Sequence, residues 1–203
     1  MSANRSGGLA AYLVGYGTLL LTDSLGSSIG HDSAHAKSVV PVTVAGYRRL
    51  FNLRPMHYPT SHKLHEAPIE NAASNVEPAE GMEFNGVAFS VEADELESLD
   101  VRERYYRRVT VPLRHFDTGE DLGEGQLYSS DLDASWITRS TAELMPLWRD
   151  IVWSRLGAYR ISQAFGEFFD ATTFLADGRT RMVDVYRDVL SDVDDVDLPA
   201  AGR

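Results

Sequence analysis

The sequence predicts an α+β protein in which a mixed, largely antiparallel and barrel-like β-sheet is covered by packed helices. The first half of the chain contains a series of short apolar or alternating runs that are separated by turn-forming residues, as strands are. One stretch with helical spacing, 92–103, interrupts this series, and after residue 131 the apolar spacing becomes helical. A strand-rich half with one embedded helix, followed by helices, is the order expected of an α+β domain.

The predicted strands are apolar runs, several of them rich in β-branched and aromatic residues, and they cover 10–16, 38–53, 68–76, 84–91, 105–113 and 125–129. Gly46 marks a bend or bulge in the second of them, which is either a strand pair or one long bent strand. The third is expected to close at Glu77-Pro78 and Gly81. The Ser-, Gly- and His-rich segment 20–37 and the proline-containing segment 54–66 show no strand or helix pattern and are predicted to be loops.

The embedded helix, 92–103, has apolar residues at helical spacing and acidic residues in its first turn, where the helix dipole favours them. A later helix is expected to be capped by Ser140 or Thr141 and to extend to Leu156, where Gly157 breaks or bends it. Pro146 either kinks this helix or marks its true start. Two further helices are predicted over 159–169 and 183–190.

The composition limits the classes of function. The chain of 203 residues has no cysteine, which excludes disulfide scaffolds, thiolate metal sites and cysteine nucleophiles. The formal net charge of −11 repels phosphate backbones and predicts no nucleic-acid partner. No stretch approaches the ~18–20 apolar residues of a membrane span, and the polar start lacks a signal-peptide pattern, so we expect a cytoplasmic protein with no membrane partner.

We expect one domain over residues 9–190, because the sequence shows neither an internal repeat nor a linker. The remaining segment, 191–203, is rich in aspartate at its start, so we expect it to be an acidic and flexible tail. The oligomeric state cannot be derived from these observations.

The first candidate for a functional site is the loop after the first strand, Tyr16-Gly17-Thr18-Leu19. Glycines at 15 and 17 let the backbone turn so that consecutive N–H groups converge on one spot, and such a cradle binds a carboxylate or phosphate without a cationic side chain. The segment lacks the lysine of a P-loop and the third glycine of a dinucleotide fingerprint. A tight turn after a core strand is the other interpretation.

The second candidate is Glu103, which lies where the embedded helix ends and the next strand begins. A carboxylate at such a position can be held on the rim of a sheet and aimed into its mouth, although a solvated, salt-bridged helix end is the other interpretation. A working glutamate needs its pKa raised by burial. We therefore expect the nearby arginines to point outward or to pair with Asp100 and other acids; they are Arg102, Arg104, Arg107 and Arg108.

Together these segments resemble the γ-glutamylcyclotransferase-like superfamily, which includes the AIG2-like and ChaC-like proteins. Residues 12–19 are similar to its opening strand and its Tyr-Gly-Ser/Thr-Leu loop. Segments similar to later blocks of the family follow in the same order, at 44–51, 71–78, 84–89 and 99–107. The chain departs from the pattern at Thr18, where many relatives carry Ser, and at Arg104, where some carry Gly.

The resemblance implies an enzyme that acts on a small molecule with a γ-glutamyl group. The α-amine of the substrate would attack its own γ-carbonyl, so that 5-oxoproline forms and an amine or amino acid leaves. The resemblance further implies that backbone amides of residues 16 to 19 bind the α-carboxylate and that Glu103 acts as base and then as acid. Glutathione, γ-glutamyl amino acids and γ-glutamyl amines all stay open as substrates. A catalytically silent small-molecule-binding or regulatory module on the same fold is the alternative.

Three more polar residues are weaker candidates for the same site. Tyr128, on the late strand, is a candidate to hydrogen-bond the substrate or Glu103, and a core or rim tyrosine is the other interpretation. Asn52 and Asn75 are minor candidates for polar groups that line the mouth of the sheet.

Two other patterns suggest different chemistry, and we do not adopt them. Histidines occur at spacings that can bind zinc, but they lie in predicted loops and form no His-Glu-x-x-His pattern. We therefore predict solvated or capping roles for them, and neither a metal nor a cofactor; they are His31 and His35, and His57, His62 and His65 beside Glu66. Gly26-Ser27-Ser28-Ile29-Gly30 matches a nucleophile elbow in its letters, but no strand is predicted to enter it.

Overall fold

The computed structural model describes residues 11–54, 70–104, 106–130 and 137–190, so the predicted tail 191–203 lies outside it. Seven strands occur in the described residues: β1 (Ala11–Gly15), β2 (Val39–Leu53), β3 (Glu70–Val91), β4 (Arg107–His115), β5 (Asp121–Ser129), β6 (Leu144–Pro146) and β7 (Thr173–Leu175). Six α-helices accompany them: α1 (Thr22–Ile29), α2 (His31–Ala36), α3 (Ala93–Arg102), α4 (Trp148–Ile161), α5 (Gln163–Ala171) and α6 (Met182–Leu190). None of these helices has the length and apolar character needed to cross a membrane.

Strands β1 to β5 close into a barrel. The pairings run β2–β3, β3–β1, β1–β5, β5–β4 and β4–β2, so the last pairing returns to β2 and closes the ring. The β1–β5 pairing is parallel and the other four are antiparallel. β6 and β7 extend the sheet as parallel neighbours of β3 and β2. The predicted fold class, a mixed and largely antiparallel barrel-like sheet with helices, is confirmed.

The barrel is apolar on both faces of its wall. In β1, Leu13 and Val14 are both almost fully buried, yet they belong to different apolar clusters. Successive side chains of a strand point to opposite faces, so one cluster lies inside the barrel and the other outside. The inner cluster draws on all five barrel strands and on no helix, whereas the outer cluster includes helix residues such as Leu99 and Phe165. The helices therefore cover the outer face of the sheet.

The predicted loop over 20–37 is wrong, because this segment forms α1 and α2. Leu25 of α1 and Ala34 of α2 are buried and belong to the outer cluster. Gly30, with a φ of 89°, turns the chain between the two helices. Most of the other side chains are small or polar, so the apolar stripe is too narrow for a helical period to show in the sequence.

The described part of the predicted strand 68–76, from residue 70 onward, and the predicted strand 84–91 belong to one continuous strand, β3. The sequence predicts an end at Glu77-Pro78, but β2 pairs with β3 on both sides of this point, with a shift in register between the two stretches. Gly46 in β2 and Gly81 in β3 adopt φ values of 81° and 75° near the shift. The two long strands thus bend together, which is how bulges and glycines curve a sheet into a barrel, and the bend predicted at Gly46 is confirmed.

The helical part of the chain begins later than the sequence predicts. Residues Leu144–Pro146 form β6, and α4 begins at Trp148. Pro146 therefore marks the later start that was one of its two predicted roles, and neither Ser140 nor Thr141 caps the helix.

Of the two roles predicted for Gly157, the break is wrong, because this glycine lies inside α4. An added Cβ would come within 2.8 Å of the carbonyl carbon of Leu20, so glycine here allows the helix to approach the turn after β1 closely. The helix instead ends at Ser162, whose hydroxyl accepts a hydrogen bond from the amide of Phe165 and caps α5.

A buried acid, Glu77, ties β2 and β3 to the segment before β6. The side chain is 4% exposed, and its two oxygens accept hydrogen bonds from Arg139 at 2.9 and 2.7 Å. The Nε of Arg48 donates to the same carboxylate at 2.8 Å. Burial alone would raise the pKa of Glu77, but hydrogen bonds and charges from Arg139 and Arg48 outweigh it and hold the pKa below its ordinary value of 4.5.

We expect Glu77→Gln to lower the free energy of unfolding by about 3 kcal/mol at neutral pH, because it removes the counter-charge of two arginines. The native pKa is depressed, so this contribution is fully present above the unfolded-state pKa and disappears as the pH falls through the lower native pKa. The difference between wild type and variant in urea unfolding should therefore shrink on acidification below pH 4.5. Glu83→Gln, at an exposed position of the same strand, is the matched control. A difference that does not depend on pH would contradict this account.

Candidate functional site

A cavity of about 290 Å³ lies between the turn after β1, the end of α3 and the start of α4. Six of the eight residues that the sequence offers as candidates for this site line it: Tyr16, Gly17, Thr18, Leu19, Glu103 and Tyr128. The other lining residues are Val14, Ala73, Ser74, Arg102, Tyr106, Arg149 and Asp150. The geometric expectation that Glu103 shares a hollow with the first turn is met, while the chemical role of each residue stays a prediction.

The two glycines of the first turn are required by close packing. A Cβ on Gly15 would lie 2.8 Å from the Cβ of Leu19, and a Cβ on Gly17 would lie 2.4 Å from the Oγ of Ser74. Neither glycine has a positive φ. Glycine at these positions therefore allows the turn to fold back on itself and to lie directly against β3.

Tyr16 is held from two sides. Its ring is buried in the inner cluster, edge-on to Phe84 with 5.9 Å between ring centroids, and its hydroxyl donates to the carbonyl of Tyr128. The backbone carbonyl of Tyr16 accepts a hydrogen bond of 3.2 Å from the guanidinium of Arg49. The side chain of Tyr16 thus fixes the turn in place, and the part of this residue that can serve a ligand is its backbone.

The turn that follows is a single 3-10 turn over Thr18–Leu20. The amide of Leu20 donates to the carbonyl of Gly17, and the amide of Leu21 donates to the carbonyl of Thr18, both at 3.0 Å. The amides that precede Leu20 have no partner within the turn, as at the start of any helical segment. These amides belong to residues that line the cavity, and amides without a partner at the start of a turn are groups that can bind an anion.

Glu103 follows the last residue of α3, and its own amide donates to the carbonyl of Leu99 at 2.8 Å. The side chain is 16% exposed, and its Oε1 lies 3.0 Å from the Nε of Arg102. Burial raises the pKa of Glu103, and the positive charge of Arg102 opposes this without cancelling it. The pKa of the carboxyl group is therefore shifted in the direction that general acid–base chemistry near neutral pH requires.

The expectation that all four neighbouring arginines avoid the site is wrong for Arg102. Its guanidinium contacts Glu103 inside the cavity and donates to Ser28 Oγ at 2.8 Å and to Thr18 Oγ1 at 3.4 Å. Arg108 does pair with Asp100, at 3.0 Å. The sequence could not reveal the inward direction of Arg102, because two of its partners, Ser24 and Ser28, belong to α1, which lies in a predicted loop.

Three ionisable residues of the cavity were missed: Tyr106, Arg149 and Asp150. Asp150 lies in the first turn of α4, and burial raises its pKa against the opposing charge and hydrogen bond of Arg149. Tyr106 donates its hydroxyl to the carbonyl of Ser74 at 2.8 Å, and burial together with the charge of Glu103 raises its pKa. A helix that starts near Pro146, one of the two roles predicted for this proline, has Asp150 in its first turn. Nothing in the local sequence indicates that this end of the helix meets the cavity.

The weaker candidates have other partners. The hydroxyl of Tyr128 donates to Asp100 at 2.8 Å, and not to Glu103, although the residue lines the cavity. Asn52 and Asn75 are fully buried, and the Nδ2 of Asn75 donates to the Oδ1 of Asn52 at 3.1 Å. Asn52 also donates to Glu77, so the prediction that the two asparagines add polar groups to the mouth is wrong; they connect β2 and β3.

The remaining patterns lie away from this cavity or outside the described residues. His57, His62 and His65 fall in the undescribed segment 55–69. Residues 26–29 of the elbow-like pattern are part of α1, with no strand leading into them, so the pattern does not form a nucleophile elbow. Among the described residues, one group of three His and acidic side chains is compact enough to hold a metal ion; it consists of Asp23, His31 and His35.

The fold is shared with several solved structures. An uncharacterised protein from Homo sapiens matches with 14% identity and a TM-score of 0.57, over 91% of this chain and 99% of that chain. A γ-glutamyl cyclotransferase matches with 15% identity and a TM-score of 0.56, over 90% of this chain and 99% of that chain. YkqA from Bacillus subtilis matches with 18% identity and a TM-score of 0.57, over 79% of this chain and 52% of that chain.

These similarities establish the fold and nothing finer, because all three identities are low. The chain has the γ-glutamyl cyclotransferase fold, and the fold implied by the sequence resemblance is therefore confirmed. No protein-family model matches the sequence, and a search of curated proteins gives no significant match.

Proposed function

We propose that the protein is a cyclotransferase that releases 5-oxoproline from a small molecule with a γ-glutamyl group. The observation that carries the proposal is that Glu103, a buried carboxyl group with a raised pKa, lines the same cavity as the amides of the first turn. The fold shared with a γ-glutamyl cyclotransferase supports it. A fold hosts more than one function, so the site residues must carry the assignment.

The reaction needs one group to move protons. The α-amine of the substrate loses a proton and forms a C–N bond to its own γ-carbonyl carbon, and the original γ-amide C–N bond breaks. In this proposal Glu103 accepts the proton from the α-ammonium group and later delivers it to the leaving amine. Because the attack is intramolecular, holding the substrate in a folded conformation already lowers much of the entropic barrier.

The substrate also needs a partner for its α-carboxylate. We assign this role to the backbone amides around Gly17, Thr18 and Leu19, which precede the first hydrogen bond of the turn. Arg102, which contacts the Thr18 hydroxyl, adds a positive charge beside the cradle. The cavity volume of about 290 Å³ lies at the small end of the range of roughly 300–1,000 Å³ for ligand pockets, which suits a single small molecule.

The direct test is a screen of γ-glutamyl compounds with 5-oxoproline measured by mass spectrometry. The panel should contain glutathione, γ-glutamyl amino acids and γ-glutamyl amines, since these differ only beyond the γ-carbonyl. We expect at least one member to give enzyme-dependent 5-oxoproline together with an equal amount of the released amine. If no member of any of the three classes is turned over, the cyclotransferase proposal fails.

One observation favours a second function, a catalytically silent binding module. The ion pair between Arg102 and Glu103 would occupy the carboxylate if it persisted with a ligand bound. In that case γ-glutamyl compounds should bind, as measured by calorimetry, without releasing 5-oxoproline. The direction of the pKa shift argues against this second function. An ion pair that dominated the site would lower the pKa of Glu103, whereas its pKa is raised.

We predict that Arg102→Gln moves the acid limb of the pH profile of kcat/KM to higher pH. The charge of Arg102 opposes the effect of burial on Glu103, so its removal raises the pKa of Glu103 further. Glu103 must be ionised to act as a base in the free enzyme, so activity in the variant should require a higher pH. Arg108→Gln, which removes an arginine paired with Asp100, is the matched control and should leave the limb in place. An unshifted limb in Arg102→Gln would show that Glu103 is not the group that titrates.

A further inference from the structure

Asp23, His31 and His35 form a compact cluster outside the cavity assigned to the substrate. Asp23 belongs to α1, whereas the two histidines lie four residues apart on α2. One ligand atom from each side chain lies within 4.8 Å of the others, and the Nε2 of His35 is 3.7 Å from the Oδ1 of Asp23. All three are exposed. The sequence predicts solvated or capping roles for the histidines, because it does not reveal that this segment folds into two consecutive helices whose side chains meet.

The tautomer of His35 is set by its backbone contact. Its Nδ1 lies 2.8 Å from the carbonyl of His31, and a carbonyl oxygen only accepts hydrogen bonds, so this nitrogen carries the proton. The Nε2 is then the nitrogen with the lone pair, and it faces Asp23. A hydrogen bond from one ring nitrogen to a carbonyl is the arrangement that typically orients a metal-binding histidine.

His31 is brought to the same place by the shape of α1. A Cβ on Gly26 would lie 2.5 Å from the Nδ1 of His31, so the imidazole packs directly over this glycine. Gly26 is one turn after Asp23, which means that the ring lies on the face of α1 that carries the carboxylate. A larger residue at Gly26 would push the imidazole away.

We propose that Asp23, His31 and His35 bind a Zn²⁺ ion. Two imidazoles and one carboxylate are a ligand set that zinc accepts, whereas Mg²⁺ and Ca²⁺ prefer oxygen ligands. At metal–ligand bonds of about 2.0–2.1 Å, ligand atoms of a tetrahedral site lie roughly 3.3 Å apart. The present separations need small rotamer changes, and exposed side chains make such changes at low cost.

The site has room for a fourth ligand. Asp23 and His35 also line a second cavity of about 310 Å³, which is bounded by Leu21, Leu25 and Arg160 among others. Three protein ligands plus a position open to a cavity is the arrangement of zinc sites that hold a water or a small ligand. The ion would also join α1 to α2, and α1 supports Arg102 through its contact with Ser28.

The test is calorimetry and thermal unfolding of the full chain, treated with EDTA and then titrated with ZnCl2. We expect one saturable zinc site per chain and a Tm that rises with zinc concentration, because an ion that binds only the folded state stabilises it. MgCl2 and CaCl2 should give neither effect. Absence of saturable zinc binding by the wild type overturns the proposal.

Single variants locate the ion. Loss of a group that merely hydrogen-bonds a metal ligand costs about 10–100-fold in affinity, so His35→Gln and Asp23→Asn should each weaken binding at least as much. Asp32→Asn, at an exposed position of α2 outside the cluster, is the matched control and should bind zinc as the wild type does. A triple variant of Asp23, His31 and His35 that still binds zinc like the wild type places the ion elsewhere in the chain and overturns the proposal.

Discussion

Glu103→Gln is expected to lower kcat for 5-oxoproline formation by about 10²–10⁴-fold, the usual contribution of a positioned acid–base group. Glutamine keeps the size and most of the hydrogen-bonding capacity of glutamate, but it can neither accept the proton of the α-ammonium group nor return one to the leaving amine. The expectation rests on the proposed cyclotransferase activity and on a substrate that the wild type turns over.

The same substitution should not destabilise the protein. The pKa of Glu103 is raised in the folded state above its ordinary value of 4.5. Between pH 4.5 and this higher folded-state pKa, the folded state therefore binds more protons than the unfolded state. Stability therefore falls as the pH rises from 4.5 through the higher pKa of the folded state, and above it the ionised carboxylate carries a cost that burial imposes. Removing the charge should leave the free energy of unfolding unchanged or higher, even though Arg102 loses an ion-pair partner.

The two readouts together separate a catalytic carboxylate from a structural one. Urea unfolding and 5-oxoproline release should be measured on the same preparations, with Glu97→Gln as the control at an exposed position of α3. A structural ion pair would predict lower stability together with a proportionate loss of activity. Wild-type activity in Glu103→Gln, measured on a compound that the wild type converts, would remove Glu103 from the mechanism.

The part of the site that could be predicted consists of residues whose position follows from local sequence. Gly15 and Gly17 directly after an apolar run indicate a turn at the end of a buried strand, and a turn of this kind presents its own amides. Glu103 lies between a helix and a strand that both show clear periodicity, so its place at the rim follows from its neighbours. Both features depend on residues that are close together in the sequence, so they could be predicted without knowing how distant segments pack.

The part that could not be predicted depends on contacts between distant segments. Arg102 turns inward because α1 offers it the carbonyl and hydroxyl of Ser24, 78 positions earlier in the chain. Asp150 reaches the cavity only because α4 packs against the turn after β1. The α1 segment has no wide apolar stripe that would have shown how it packs.

The strand pattern illustrates the same limit inside the barrel. Glu77-Pro78 and Gly81 look like a strand end, because proline and glycine are common in turns. In the structure the long strand β3 continues through them, since β2 bends alongside it. Periodicity identifies that residues are in strands, but the curvature that closes a barrel is decided by the partner strand.

Arg49→Met is expected to lower the free energy of unfolding by at least about 3 kcal/mol, because several buried acceptors lose their donor at once. Arg49 is fully buried, and its guanidinium carbon lies 3.9 Å from the centroid of the Phe169 ring. Its nitrogens donate to the backbone carbonyl and the side-chain oxygen of Asn85 at 2.7 and 2.9 Å, and to Thr173 Oγ1 at 2.8 Å. Burial lowers its pKa to about 9, so it remains a cation at neutral pH.

In the part of the chain that the structure describes, no acid is hydrogen-bonded to this buried cation, so the substitution has two opposing effects on stability. Removing a charge whose burial is unfavourable would by itself stabilise the protein, as some buried ion pairs show when they are replaced by apolar groups. Methionine, however, cannot donate to Asn85, Thr173 or the Tyr16 carbonyl, and each buried acceptor left unpaired costs about 1–3 kcal/mol. With several such acceptors the loss outweighs the relief, so destabilisation is the expected result.

Arg49 also holds the first turn of the site against the barrel, because it donates a hydrogen bond to the carbonyl of Tyr16. Arg49→Lys keeps the charge but has no planar fork, so it cannot serve Asn85 and Tyr16 together, and it should unfold at lower urea than the wild type. Arg114→Met, at an exposed position of β4, is the control and should change stability by less than about 0.5 kcal/mol. If Arg49→Met were as stable as this control, the buried guanidinium would not be what holds the first turn of the site against the barrel.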